Sequence, residues 1–288
     1  MTERLPPADW PHREVSRIVA AKPHRWHVQV KGEGPDILLL HGAGASAHSW
    51  APLIPFLTEQ YRVIALDLPG HGWTRSPKGR ARLSDVAADI ATLCMQEGWS
   101  PRLVIGHSAG GAVSLELARQ GLIKPDRLVI VNGALENFRG AAGWLFPMMA
   151  KMLALNPFTG LLISQGGRSV QQVRSILLNV GTELSDEGLN RYACLIQRRA
   201  HVEGTLAMMA QWSLDDLNRA LPKITVPTLF IHGAQDGAVA LRVAERAAQA
   251  MPDARLIVLP DVGHIAHEEQ PARVAEEILR FAATAKAE

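Results

Sequence analysis

Cysteine is scarce in this chain, with two residues, Cys94 and Cys194, among 288. Two isolated cysteines support neither a disulfide framework nor a zinc cluster, and their scarcity favours a reducing compartment. A net charge of one sign is lacking too, because 30 Lys and Arg residues balance 28 Asp and Glu residues. This balance leaves no electrostatic footprint for nucleic acid, so we predict no nucleic-acid partner.

The sequence also lacks a recognisable targeting or membrane-spanning segment. Charged residues are scattered through positions 1–30, which argues against a secretory signal. The longest weakly charged stretch, 140–167, is interrupted by Pro147, Pro157 and Gly160, whereas a transmembrane helix needs about 20 apolar residues. We therefore predict a cytoplasmic protein without a transmembrane segment, and peripheral contact with a membrane is left open.

What the chain does contain is a strand–helix rhythm typical of a mostly parallel α/β sheet with helices on both faces. Short apolar runs predict strands covered on both sides. They lie at 37–40, 63–66, 103–105, 128–131, 228–232 and 256–259. An alternating run at 26–30 predicts an earlier strand. One helix is predicted at 83–98, with Ser84 as its N-cap and Gly98 at its end.

The rhythm is interrupted between positions 137 and 220, where no strand-like alternation occurs. Helical patches replace it, at 143–155, 170–180, 186–197 and 202–212. The sequence therefore predicts an all-helical cap, 137–220, inserted into a core formed by 1–136 and 221–288.

The strongest chemical signal is the pentapeptide 106–110, Gly-His-Ser-Ala-Gly, between a predicted strand and a predicted helix. A nucleophile on such a sharp turn needs small neighbours, which Gly106 and Gly110 supply. The helix that follows directs its N-terminus at the reacting centre, where it favours developing negative charge. We predict Ser108 as the nucleophile.

A serine hydroxyl needs a base, and the base needs a third group to orient it. Asp236 and His264 each follow a predicted strand, in the chain order Ser–Asp–His, so we predict them as the acid and the base. Alternatives stay open: Asp236 as a cap of the next helix, Glu136 as the acid, and His267 as the base.

Backbone N–H groups are expected to form the oxyanion hole. The tetrapeptide 41–44, His-Gly-Ala-Gly, directly follows a predicted strand. We therefore assign the donors to Ala43 and to Ala109, the residue after the nucleophile. A plain glycine turn is the alternative for 41–44.

Motifs for nucleotides and metals are missing. No phosphate-binding loop and no strand-linked dinucleotide fingerprint occurs. His264, His267 and Glu268 do not form a zinc-binding H-E-x-x-H motif, so we predict no metal and no cofactor. We interpret Asp67 and Asp253 as turn or surface residues.

Large apolar side chains are concentrated in the predicted cap. Methionine adapts to bulky ligands and tryptophan offers a flat stacking face, so these residues predict an apolar pocket above Ser108. The predicted lining residues are Trp144, Met149, Met208, Met209 and Trp212. The alternative is that they only pack the cap helices together.

Taken together, the order of elements, the Ser108 turn, Asp236 and His264 resemble the α/β-hydrolase superfamily with a helical cap, over nearly the whole chain. A serine at the turn argues against epoxide hydrolases and haloalkane dehalogenases, which use aspartate there. Four further stretches, 10–14, 26–29, 132–135 and 201–212, resemble the BchO family, magnesium-chelatase accessory proteins of bacteriochlorophyll biosynthesis.

The narrower resemblance implies a role in the tetrapyrrole metabolism of a photosynthetic bacterium. It implies an apolar small-molecule substrate such as a porphyrin ester, and a contact with magnesium chelatase. Two hypotheses follow. The first is a serine hydrolase acting on an ester. The second is a non-catalytic porphyrin-binding or chelatase-assisting protein that retains the triad by descent.

Overall fold

A computed structural model describes residues 5–137 and 170–284. Within this part of the chain, eight strands form one sheet in the order β1-β2-β4-β3-β5-β6-β7-β8. The strands are β1 (Ser16–Ala21), β2 (His24–Lys31), β3 (Asp36–Leu40), β4 (Arg62–Leu66), β5 (Leu103–His107), β6 (Arg127–Val131), β7 (Thr228–Gly233) and β8 (Ala254–Leu259). The pairs β1–β2 and β2–β4 are antiparallel, and all pairs from β4 to β8 are parallel.

The centre of the sheet is buried on both faces. Every residue of β3, β5, β6 and β7 is buried. Successive residues of β3 belong to two different hydrophobic clusters: Ile37 and Leu39 to one, Leu38 and Leu40 to the other. Side chains alternate across a strand, so continuous apolar runs are what a sheet between two helical layers requires. The predicted α/β fold class is confirmed.

Helices cover the sheet and make up most of the described part of the connection between β6 and β7. They are α1 (Ile54–Leu57), α2 (Leu83–Glu97), α3 (Ala109–Arg119), α4 (Val170–Asn179), α5 (Asp186–Ile196), α6 (Arg199–Gln211), α7 (Asp215–Ala220), α8 (Leu241–Ala250), α9 (Ala266–Glu269) and α10 (Pro271–Ala283). Gly98 ends α2 in the left-handed conformation, with φ 67°, as its position predicts. The prediction of Ser84 as N-cap is wrong, because α2 begins at Leu83 and Ser84 lies inside its first turn.

The helices α4–α7, called here the inserted helices, account for the described part of the predicted cap. The predicted helix at 143–155 lies outside the described residues, and the division of 137–220 from the core as a separate cap stays a prediction. None of the described helices is long and apolar enough to span a membrane.

Helix α6 is seated directly on the loop after β4. Gly204 of α6 faces Gly70, and a Cβ built on Gly70 would lie 2.9 Å from the Gly204 Cα. A Cβ on Gly204 would overlap the Gly70 carbonyl oxygen. The two backbones therefore touch, and glycine at both positions is what allows this approach.

Asp67 is not the turn or surface residue that we expected. It is fully buried at the end of β4 and accepts hydrogen bonds from the Ala47 N–H (2.7 Å), the Trp73 N–H (2.8 Å) and His27 Nδ1 (2.8 Å). Burial alone raises the pKa of this carboxyl, but His27 and the other donors outweigh it and hold the pKa well below its usual value. Asp67 thus ties β2 and two loops to the end of β4.

Candidate active site

Ser108 sits at the sharp turn between β5 and α3. Its backbone has φ 51° and ψ −115°, an unfavourable conformation for a residue with a Cβ. Three hydrogen bonds hold the turn in place: the Ser108 N–H donates to the Val131 carbonyl (3.0 Å), and the Ser108 carbonyl accepts from the N–H groups of Gly111 and Ala134 (3.0 Å each). The surrounding structure thus imposes a strained conformation on Ser108.

Close packing explains the glycines around the turn. A Cβ on Gly106 would overlap the Gly110 carbonyl oxygen, and a Cβ on Gly110 would overlap the Leu40 carbonyl oxygen. Gly42 lies against the same turn, because a Cβ built on Gly42 would lie 3.0 Å from the Ser108 Cβ. The loop after β3 and the Ser108 turn are therefore in direct contact.

Asp236 and His264 meet at the carboxyl ends of β7 and β8. His264 Nδ1 lies 2.8 Å from Asp236 Oδ2, which also accepts from Asn132 Nδ2 at 2.7 Å. Asp236 Oδ1 accepts from the N–H groups of Ala238 (2.7 Å) and Val239 (2.8 Å). Burial alone raises the pKa of Asp236, but the bonds from His264, Val239 and Asn132 outweigh it and lower the pKa below its ordinary value.

This arrangement sets the proton positions on the imidazole. An ionised carboxylate can only accept, so Nδ1 of His264 carries a proton and donates it to Asp236. In the neutral form of this imidazole, Nε2 is then the nitrogen without a proton and can receive one from a hydroxyl. A charged acid that orients a neutral base is the pairing that serine catalysis requires.

The competing residues lie elsewhere. Glu136 faces Arg242 (3.7 Å) and Arg246 (3.4 Å), while Asp236 is the acid that contacts His264. His267 is fully buried, and its Nε2 lies 2.8 Å from Ser49 Oγ. The capping alternative for Asp236 holds in part, because Asp236 accepts two N–H groups of the turn that precedes α8 while it also binds His264.

Sequence reasoning missed three groups that organise these loops. Asn132 follows β6 with φ 47° and bonds Asp236. The Val180 carbonyl, just after α4, accepts from the N–H groups of Gly237 (3.2 Å) and His264 (3.3 Å). Thr182 Oγ1 accepts from the Ile265 N–H at 3.1 Å. Of these groups, only Asn132 could have been suspected from the sequence, because it directly follows a predicted strand. The other two contacts join distant segments, and such contacts leave no trace in a local sequence pattern.

The two predicted oxyanion donors lie on either side of Ser108. Ala43 belongs to the turn 42–45, closed by a bond from the Ala45 N–H to the Gly42 carbonyl (3.2 Å), with Gly44 at φ 77°. Gly44 is the third residue of this turn, the position at which a type II turn requires a positive φ and favours glycine. Ala109 is the first residue of α3. Within the described residues, neither the Ala43 N–H nor the Ala109 N–H has a hydrogen-bond partner.

A cavity of about 830 Å³ opens above this site. Ala43, Gly44, His107 and His264 contribute to its lining. The inserted helices contribute its walls, through Val173, Ile176 and Leu177 of α4, Tyr192 and Ile196 of α5, and Val202, Thr205 and Leu206 of α6. Among the described lining residues there is no Asp, Glu, Lys or Arg. A volume of this size with apolar walls is typical of small-molecule sites.

The structure corrects the predicted lining of this cavity. Met208 is buried in the core cluster, and Trp212 packs against that cluster while its Nε1 donates to the Ala81 carbonyl at 2.8 Å. Met209 is not among the residues that line the cavity. The N-terminal half of α6 faces the cavity, whereas its C-terminal half continues over the core. Trp144 and Met149 lie outside the described residues.

A buried polar network joins the inserted helices to the segment after His264. Tyr192 of α5 donates to Glu268 Oε1 at 2.6 Å, and Ser49 Oγ donates to the same oxygen. Since Ser49 also contacts His267 Nε2 at 2.8 Å, the His267 N–H donates to Ser49. Burial raises the pKa of Glu268 to about 7, although the two hydroxyl donors act against this shift.

We expect Glu268 to make the stability of the protein depend on pH. Its folded pKa of about 7 lies above the ordinary 4.5, so the folded state binds the extra proton between these values and stability falls as pH rises through this window. The loss by pH 8 is about 3 kcal/mol. Glu268→Gln stays neutral at every pH, so the variant should unfold with a flatter pH dependence.

Urea unfolding at pH 5 and pH 8 measures this difference. Glu276→Gln, which removes an exposed carboxylate on α10, serves as the control and should retain the wild-type slope. Parallel pH profiles for the wild type and Glu268→Gln would show that Glu268 does not titrate in this range.

Among residues 5–137 and 170–284, no three His, Cys, Asp or Glu side chains are grouped so that they could hold a metal ion.

Comparison with known proteins places the chain among related folds. A family model for the alpha/beta hydrolase fold matches residues 35–271. The epoxide hydrolase CorEH superposes with a TM-score of 0.79 at 24% identity, over 93% of this chain and 98% of that structure. At this identity the likeness concerns the fold alone.

Two curated relatives are similar over almost their whole length. The magnesium-chelatase 30 kDa subunit of Rhodobacter capsulatus is 44% identical over 271 residues, covering 93% of this chain and 94% of the relative. The pimeloyl-[acyl-carrier protein] methyl ester esterase of Nitrosospira multiformis is 28% identical, covering 89% of this chain and 97% of the relative.

Proposed function

Because the chain belongs to the α/β-hydrolase fold family and, within it, to the family of the magnesium-chelatase 30 kDa subunit, we propose that it is a serine hydrolase that cleaves a carboxylic ester. The observation that carries this proposal is the bonded pair of Asp236 and His264, with His264 Nε2 left as a proton acceptor. His107 links this pair to the Ser108 turn, since its Nε2 lies 2.8 Å from the His264 carbonyl oxygen.

In the proposed reaction, Ser108 Oγ attacks the ester carbonyl while His264 Nε2 takes its proton. The N–H groups of Ala43 and Ala109 bind the oxyanion of the tetrahedral intermediate. His264 then protonates the leaving alcohol, and an acyl-enzyme forms on Ser108. Water, deprotonated by His264, attacks the acyl group and releases the acid, which restores Ser108.

The cavity indicates the class of substrate. Its described walls carry no charged side chain, and burying an unpaired charge is costly, so a neutral, apolar ester fits best. About 830 Å³ is room for a large ligand. One relative is named a methyl ester esterase and another a magnesium-chelatase subunit. We therefore propose that the substrate is a carboxylic ester of a tetrapyrrole, with a role in bacteriochlorophyll biosynthesis.

A fluorophosphonate and a panel of chromogenic esters test this function. We expect covalent labelling of the protein, and hydrolysis of apolar acyl esters at least about tenfold faster than of esters whose acyl chain ends in a carboxylate. A porphyrin methyl ester, assayed by chromatography for its free acid, tests the finer proposal. A protein that reacts with neither probe nor ester is not a serine hydrolase, and equal rates for charged acyl chains would remove the apolar-substrate proposal.

The name of the relative from Rhodobacter capsulatus favours a second candidate. In this alternative the protein binds a porphyrin and assists magnesium chelatase without catalysis. A reconstituted magnesium-chelatase reaction, in which magnesium insertion is measured with the wild-type protein and with Ser108→Ala, separates the two candidate functions. Equal stimulation by both proteins supports the accessory role, whereas a requirement for Ser108 supports the hydrolase.

A further inference from the structure

The turn that carries Ala43 is held by a histidine on its N-terminal side. His41 Nε2 accepts a hydrogen bond from the Leu68 N–H at 2.9 Å. A nitrogen that accepts carries no proton, so the proton of this imidazole is on Nδ1. His41 Nδ1 lies 2.7 Å from the Gly42 carbonyl oxygen and therefore donates to it.

A second histidine, from the inserted helix α6, holds the other end of the same turn. His201 Nδ1 accepts from the Gly72 N–H at 3.0 Å, which places its proton on Nε2. His201 Nε2 lies 3.1 Å from the Gly44 carbonyl oxygen and donates to it. The ring is buried, and burial together with the neighbouring His41 lowers its pKa to about 4, so it is neutral at pH 7 and keeps this tautomer.

These bonds form a continuous chain through two peptide groups. His201 donates to the carbonyl of the Gly44–Ala45 peptide, whose N–H donates to the Gly42 carbonyl at 3.2 Å. The Gly42–Ala43 peptide ends this chain at the Ala43 N–H. A trans peptide is planar, so fixing its carbonyl fixes its N–H, and each bond in a chain polarises the next.

We propose that His201 is a positioning residue of the oxyanion hole: from α6 it bonds the Gly44 carbonyl and so aligns and polarises the Ala43 N–H through the turn 42–45. This inference rests on the proposed function, because Ala43 matters to the rate as a donor to the oxyanion. The position of α6 makes this role physically possible. The close backbone contact between Gly204 and Gly70 holds α6, and with it His201, near the turn 42–45.

Two substitutions at His201 separate the proposed role from a structural one. His201→Gln retains an N–H donor at the position of Nε2, whereas His201→Asn is too short to reach Gly44 but retains an acceptor for the Gly72 N–H. We expect His201→Asn to lower kcat and the rate of fluorophosphonate labelling by about 10- to 100-fold with little change in KM, and His201→Gln to restore both to within about threefold.

Glu203→Gln is the matched control, because it removes a surface ion pair with Arg199 on the same helix. We expect its kcat to equal that of the wild type. Equal kcat in wild type and His201→Asn, or equal losses in the Asn and Gln variants, would overturn the proposal.

The amide resonance of Ala43 provides a readout that does not depend on activity. We expect His201→Asn to shift its NMR signal and His201→Gln to leave it near the wild-type position. If wild type fails to react with the fluorophosphonate, the proposed function fails, and the Ala43 resonance still decides this inference. If His201→Asn does not fold, the NMR chemical shifts of the imidazole nitrogens of the wild-type protein test the proposed role of His201. A proton on Nδ1 of His201, rather than on Nε2, would overturn the proposal.

Discussion

Ser108→Ala is expected to lower ester hydrolysis by about 10⁴- to 10⁶-fold and to abolish labelling by a fluorophosphonate. The proposed acyl-enzyme forms on Ser108 Oγ, an atom that alanine lacks, so the covalent route is lost in this variant. The fold should be unchanged, because the Ser108 side chain makes no capping bond to α3 and alanine is no larger. Steady-state kinetics, intact-mass analysis of the labelled protein and thermal unfolding measure the three outcomes.

Ser114→Ala is the matched control for this experiment. Ser114 is a buried serine on the same helix, α3, where its Oγ donates to the Gly110 carbonyl at 2.8 Å. We expect this variant to be labelled and to hydrolyse esters like the wild type. Labelling that persists in Ser108→Ala would place the nucleophile at another residue.

Asp236→Asn is expected to cost about 10⁴-fold in kcat, although the substitution hardly alters shape. The direction of the new amide is dictated by the backbone. The N–H groups of Ala238 and Val239 both point at the Oδ1 position, so the amide oxygen must lie there. The amide NH₂ then occupies the Oδ2 position, where it donates to His264 Nδ1 and moves the proton of the imidazole to Nε2. A base with its proton on Nε2 cannot accept one from Ser108.

Glu136→Gln tests the competing acid under the same conditions. Glu136 faces Arg242 and Arg246, so we expect its kcat to remain within about twofold of the wild type. A large loss in Glu136→Gln together with a small one in Asp236→Asn would transfer the role of the acid to Glu136.

The parts of the fold that could be predicted are those in which each strand carries its own signal. β3, β5, β6 and β7 are apolar at every position because both faces are covered, and the sequence shows this directly. β1 was missed because it is an edge strand in which only Val19 and Ala21 are buried, so its sequence shows no clean alternation. Asp67 was misjudged because nothing in a linear pattern reveals that donors from three separate segments surround one carboxylate.

The candidate site shows the same division. The chain order of Ser108, Asp236 and His264 sufficed to predict which acid and base to pair, and the structure brings these two together; their catalytic roles stay predictions. The residues that line the cavity were harder to predict. The composition of α6 indicated large apolar residues but not which half of the helix covers the core, so Met208 and Trp212 were misplaced. His201 reaches Gly44 across 157 positions of sequence, a distance at which no local pattern operates.

The contact between Gly70 and Gly204 bears on how this chain can diverge toward new substrates. The contact leaves no space between α6 and the loop after β4, so α6 cannot shift toward that loop to admit a wider ligand. Ile176 of α4, in contrast, lines the cavity and is 57% exposed, so it can turn outward or be replaced at little cost. We expect descendants with altered substrate preference to vary along α4 and to keep glycine at 70 and 204.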